Sequence, residues 1–155
     1  MRLTLTDRYT HMQTSKRKAD GLITIKSSHG SKETMERLEA AVKAKGLTIF
    51  ARIDHAAGAA DVALSLRPTE LLIFGNAKGG TPLMQSDQTV GIDLPLKVLV
   101  WQDTSGDTLL SYNDPSWIAK RHGLGYEVDA TVNAMSAALD GIARTATAPP
   151  SASSL

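Results

Sequence analysis

The chain has 155 residues, 42% of them hydrophobic but only 5% aromatic, which suits one globular domain whose core is built from Leu, Ile, Val, Ala and Met. Its formal net charge of +1 and zero cysteines exclude a strongly basic or acidic domain, disulfides, thiolate metal sites and a cysteine nucleophile. No apolar run reaches the length of a membrane span and the N-terminus lacks a signal-peptide core, so a cytoplasmic location is expected.

Residues 1–20 form a basic arm, with Arg2, Arg8, Lys16, Arg17 and Lys18 against Asp7 and Asp20. Taking these from 17 basic and 16 acidic residues leaves 12 and 14, a net charge of −2 for residues 21–155. A nucleic-acid binder concentrates positive charge on its folded face. Here the excess sits on an arm, so nucleic acid is not the expected partner. Met12 offers an alternative start.

Leu22–Lys26 alternates apolar and polar residues as a half-buried strand does. Ser31 then suits a helix N-cap, Met35, Leu38 and Val42 make one helical stripe, and Gly46 fits the end. Leu47–Ile53 reads as a second strand and Ala56–Asp61 as a short helix weakened by Gly58. Glu70–Phe74 is a third, buried strand. A glycine loop (Gly75, Asn76, Gly79, Gly80) follows, with Thr81 as N-cap and Pro82 at the first position of a short helix.

Leu94–Gln102 and Thr108–Tyr112 read as a hairpin turned at Ser105-Gly106-Asp107. Asp114-Pro115 starts a helix ending at Gly123. Tyr126–Arg144 is the clearest helix, with Val128, Val132, Met135, Leu139 and Ile142 on one face. Residues 145–155 are rich in Ala, Pro and Ser and read as a tail. The expected organisation is a basic arm (1–20), one α+β domain (21–146) and a disordered tail (147–155).

Five strands and two main helices predict a two-layer α+β sandwich with helices on one face of a largely antiparallel sheet. Leu96, Val98 and Val100 alternate with Lys97, Leu99 and Trp101, so both faces of that strand carry apolar residues. A two-layer protein would expose one of them, which predicts a homodimer through the open sheet face.

Six separated segments, Phe50–His55 (FARIDH), Leu66–Asn76 (LRPTELLIFGN), Gly80–Met84 (GTPLM), Gly91–Trp101 (GIDLPLKVLVW), Tyr112–Pro115 (YNDP) and Arg121–Leu124 (RHGL), together resemble the family called domain of unknown function 302. The resemblance runs from about Gly21 to Ala143. It implies a small sandwich similar to the TATA-binding-protein type of helices on a curved sheet, and a homodimer. It implies no reaction, and no catalytic residue is carried over.

Several groups are candidates for a site. His55, at a strand end beside Asp54, reads as a general base or ligand-binding imidazole, or as a histidine that satisfies a buried backbone group. Gly75 to Thr81 resembles a phosphate loop but lacks the lysine after its second glycine, so it suits a smaller anion or a plain turn and helix cap. Asp93 and Lys97 would aim a carboxylate and an ammonium into one cleft, or pair at a sheet rim. Asn113 could hydrogen-bond a ligand, and Asp114 serves as an N-cap. His122 reads as a cation at a helix C-terminus. No histidines stand at metal-ligand spacing, so neither a metal nor a cofactor is expected.

The leading expectation is a pocket for a small polar or anionic ligand, lined by His55, Asn76, Gly80, Thr81, Lys97 and Asn113. The enzyme alternative makes His55 the acid–base group, with Lys97 or Asp93 as partner. A third reading gives these residues to folding, dimerisation or protein interaction alone.

Overall fold

The computed structural model describes residues 19–150. The expectations for the basic arm, the alternative start at Met12 and the end of the tail fall on residues 1–18 and 151–155, outside the described residues.

Five strands, β1 (Leu22–Lys26), β2 (Thr48–Asp54), β3 (Thr69–Gly75), β4 (Leu96–Gln102) and β5 (Thr108–Asn113), form one sheet in the order β1-β5-β4-β3-β2. Every neighbouring pair is antiparallel, so the two edge strands β1 and β2 run parallel to one another. Helix α1 (Ser31–Ala44) makes the crossing between those edges. The remaining helices are α2 (His55–Asp61), α3 (Ala77–Ser86), α4 (Pro115–Arg121) and α5 (Asp129–Thr147). Short 3₁₀ turns at Gln88–Asp93 and Tyr126–Val128 complete the chain.

The α+β two-layer architecture is as the sequence pattern predicts. Met35, Leu38 and Val42 of α1 and Leu139, Ile142 and Ala143 of α5 pack on the sheet face made by Leu72, Phe74, Val98, Val100, Leu110 and Tyr112. Register puts these strand residues on one side, because Leu72 pairs with Val98 and Val98 with Tyr112. A second cluster joins Leu83 of α3, Val90, Ile118 of α4, Val128 and Val132. It fastens α3 and α4 to the N-terminal half of α5.

Four local expectations change. Gly30, not Ser31, is the N-cap of α1, with no side-chain hydrogen bond. Tyr126–Val128 is a 3₁₀ turn, and α5 begins at Asp129. At its other end α5 continues through Thr147, because the start of α1 ties it down: Ser28 N donates to Thr147 O at 2.9 Å and Arg37 Nη2 to Thr145 O at 2.9 Å. Burial of Ala143, Ala146 and Thr147 outweighs the tail-like composition.

The fourth change is at α3. Asn76 is its N-cap and Thr81 lies in its middle. The Asn76 carboxamide oxygen accepts from Gly79 N at 2.7 Å, and Gly80 N donates to Asn76 O at 3.1 Å. The expected glycine loop is therefore the first turn of the helix. Pro82 sits inside it, beyond the positions where proline costs nothing.

Candidate functional site

A cavity of about 520 Å³ opens beside the β2–β3 edge of the sheet. Leu47, Phe50, Gly75 and Leu96 supply its sheet wall, and Met135 and Ala138 of α5 its helical wall. The first turns of α3 and the segment Gly91 to Pro95 close the ends. A β-bulge between Ile49 and Ala51 carries Phe50, whose ring stands at the rim, 56% exposed. Bulges re-aim a side chain in this way. The volume is that of a small-molecule site.

Among the described residues, no charged or titratable side chain lines the cavity. Its polar groups are Asn76, Thr81 and Thr131. Asn76 commits its carboxamide oxygen to the helix cap, which leaves its NH₂ group as the donor at the rim. The N–H groups an anion would need at Gly79 and Gly80 already bond Asn76.

The six expected site residues do not share one pocket. Asn76, Gly80 and Thr81 line the large cavity. Lys97, Asp93 and Asn113 border a separate crevice of about 10 Å³, smaller than any organic ligand. His55 is exposed where α2 begins, beyond the far end of β2. Thr48 pairs with Gly75 while Asp54 pairs with Glu70, so the length of β2, roughly 20 Å, separates His55 from the cavity. Asp54 does not orient His55; its carboxylate caps α2 by accepting from Ala57 N at 2.9 Å.

Asp93 and Lys97 do not form the expected pair either. Lys97 Nζ donates to the backbone oxygens of Pro95, at 2.9 Å, and Asp93, at 3.3 Å. Burial pushes the Lys97 amine below its usual range, with the Asp93 charge opposing. The Asp93 carboxylate turns away to Arg121 Nη1, at 2.9 and 3.0 Å, and to His122 Nε2, at 2.5 Å. Pro95 has no N–H for the ladder, so β4 begins only at Leu96 and Asp93 stays in the 3₁₀ turn.

His122 does more than end its helix. Its Nδ1 lies 3.0 Å from Thr89 Oγ1, which also donates to Asp87 Oδ1 at 2.6 Å. Both ends of the 3₁₀ turn that carries Gly91 are thus pinned to the end of α4. The sequence held one clue, the RHG run at that helix end; its carboxylate partner lies 29 residues away.

A second cavity of about 360 Å³ lies towards the His55 end of the sheet, between Lys32, Arg52, Asp54 and Glu70. Its guanidinium is occupied: Arg52 Nε and Nη2 both bond Glu70, and Nη1 bonds Glu39 at 3.1 Å. These carboxylates raise the Arg52 pKa further. Among the described residues no group of three or more His, Asp or Glu stands where it could hold a metal ion.

The family described as domain of unknown function DUF302 matches residues 23–142, most of the described chain. This chain belongs to the DUF302 family. A crystal structure of an uncharacterized conserved DUF302 protein from Bacillus stearothermophilus superposes with a TM-score of 0.73 at 21% identity, covering 83% of this chain and 99% of that one. At that identity the likeness shows the fold. The chain is also 50% identical over 115 residues to fluoride-specific ion channel FluC 1 of Brucella suis biovar 1 (strain 1330), covering 74% of this chain and 45% of that protein. The fluoride-specific ion channel FluC 2 of Brucella melitensis biotype 1 (strain ATCC 23456 / CCUG 17765 / NCTC 10094 / 16M) matches at 50% identity over 115 residues, with 43% of its length covered. The chain therefore spans less than half the length of these relatives. Among the described residues no helix is long and apolar enough to cross a membrane.

Proposed function

We propose that this chain is a cytoplasmic, homodimeric binding domain that takes a small, largely apolar, neutral molecule in the cleft between Phe50, α3 and α5. One observation carries this: a cavity of about 520 Å³ whose wall, among the described residues, is apolar and holds no charged side chain. Buried apolar area supplies the affinity in such a site, and a few polar groups set the orientation. The lining turns the expected polar or anionic ligand into an apolar one. It also favours binding over acid–base catalysis, which needs a titratable group within hydrogen-bond reach. Dimerisation is supported by the apolar residues Ile53, Leu71, Leu99 and Trp101, which share the sheet face opposite the one that α1 and α5 cover among the described residues.

Two neutral fluorescent probes test the binding reading, the planar N-phenyl-1-naphthylamine and the extended acyl chain of methyl cis-parinarate. At least one should bind saturably. Ala134→Trp, at the cleft wall, should abolish that binding, and His55→Gln should leave it unchanged. Failure of both probes to saturate would remove the proposal.

The Brucella relatives support a second role, that of an accessory domain. An ion channel must cross the membrane, and no described helix here could. The conducting part of those relatives would then lie in the part this chain does not match, with the matched part beside it. Deleting the matched 115 residues from the Brucella suis protein should leave fluoride permeation through liposomes measurable. Complete loss of permeation with a correctly inserted protein would count against the accessory reading.

A further inference from the structure

Three glycines of the cleft wall serve no purpose that the protein's own packing explains. Gly75 ends β3, Gly80 lies in α3 and Gly91 lies in the 3₁₀ turn, and all three line the cavity. None has the positive φ that favours glycine; Gly21, Gly46, Gly106 and Gly123 do. Nor does packing demand them. A Cβ on Gly75 would meet Pro95 at 3.8 Å, and one on Gly80 would meet Leu94 at 3.7 Å and Met84 at 3.8 Å, both ordinary contacts. On Gly91 it would meet only the flexible Met84 thioether, at 3.4 Å. By contrast a Cβ on Gly21 would overlap the Trp117 side chain, and one on Gly79 would press on the Asn76 cap oxygen at 3.0 Å.

Glycine weakens helices and strands by its entropy, so Gly75 and Gly80 cost stability with no internal return. What they do provide is bare backbone facing the cavity from separate elements. Phe50 stands beside this strip, its ring 4.0 Å from where a Gly75 Cβ would be. Met84 and Met135 supply sulfurs, which pack well against aromatic rings. A flat ring face fits such a wall, and Phe50 can meet it by offset stacking or edge-on.

We propose that the cleft binds a neutral, planar aromatic molecule, lying against the backbone of Gly75, Gly80 and Gly91, with its polar edge towards Asn76, Thr81 or Thr131. This rests on the binding reading above and narrows it to a ligand class.

The test combines stability with binding of N-phenyl-1-naphthylamine. Gly80→Ala should raise Tm by about 3 °C, because alanine favours the helix, and weaken probe binding about tenfold or more through overlap with a ring lying on that backbone. Gly141→Ala, in α5 with nothing within 4 Å of its added Cβ, is the control. It should raise Tm and leave binding unchanged. Methyl cis-parinarate should bind at least tenfold more weakly than the planar probe, a difference of about 1.4 kcal/mol. A Gly80→Ala variant with lowered Tm would show a structural glycine and overturn the inference. So would unchanged probe affinity in that variant. Tight binding of the acyl probe with none of the planar one would overturn the ligand class while sustaining the cleft as a binding site. Absence of binding by either would remove both.

Discussion

The N-cap of α3 is the point where fold and site meet, and its removal has a magnitude the structure sets. The helix sequence AKGGTPLMQS holds two glycines and an interior proline among its ten residues. Relative to alanine these disfavour the helix by about 1 kcal/mol for each glycine and about 3 kcal/mol for the proline. Opposing them are burial of Leu83, worth roughly 2 kcal/mol, and the Asn76 cap, worth about 1 kcal/mol. A helix so poorly supported by propensity depends on its cap. Asn76→Ala should therefore cost about 1 kcal/mol in urea unfolding, a fall in Tm of about 3 °C. Amide exchange within Ala77–Ser86 should accelerate about fivefold, with the sheet core unaffected. Asn76→Ser keeps an acceptor for Gly79 N and should restore most of the stability. It also removes the NH₂ donor at the cavity rim. If Asn76→Ala matches the wild type in both stability and exchange, the cap does not hold this wall and the reasoning fails.

Two further outcomes follow from the same geometry. Leu99→Asp places a charge at the centre of the open sheet face, between Leu71 and Ser111; it should convert a sedimenting dimer to a folded monomer. A wild type that already sediments as a monomer at micromolar concentration would remove the dimer. Lys97 predicts a pH dependence. Its folded pKa is lowered by burial, so below the unperturbed 10.5 the folded protein binds fewer protons than the unfolded chain. The cost of holding the charged amine is fully present below the folded value and is relieved as pH rises towards 10.5. Wild-type stability relative to Lys97→Met should therefore rise over that alkaline window. A constant difference would refute the burial argument.

Much of the fold was legible because it rests on patterns of single residues. Met35, Leu38 and Val42 announce α1, alternation announces β4, and Asp114-Pro115 announces α4, capped by Asp114 Oδ1 accepting from Ser116 N at 2.9 Å. The hairpin of β4 and β5 and the helical face of α5 follow the same logic. What was not legible depends on distant pairings. Nothing local joins Asp93 to His122 or fixes Lys97 on the Asp93 and Pro95 carbonyls. His55 looked like a site residue because it ends a strand, but strand register alone decides which end of the sheet it occupies.

Of the four local misreadings, the one at α3 bears on the cleft, because α3 forms part of its wall. Gly79, Gly80 and Pro82 are poor helix formers, so Gly75 to Gly80 reads as a loop and Thr81-Pro82 as a helix start. The chain is helical there because the Asn76 carboxamide caps the first turn and Leu83 is buried beneath it. Tertiary packing overrides propensity, as it commonly does. A sequence optimised for stability alone would not place glycine where φ is ordinary and a methyl group would fit. Conflict between local preference and adopted structure is expected where function takes precedence over stability. At Gly75 and Gly80 that conflict falls on the wall of the 520 Å³ cavity. Under the proposal above, the small residues of this segment leave room for a ligand face, while the N–H groups of Gly79 and Gly80 are taken up by Asn76.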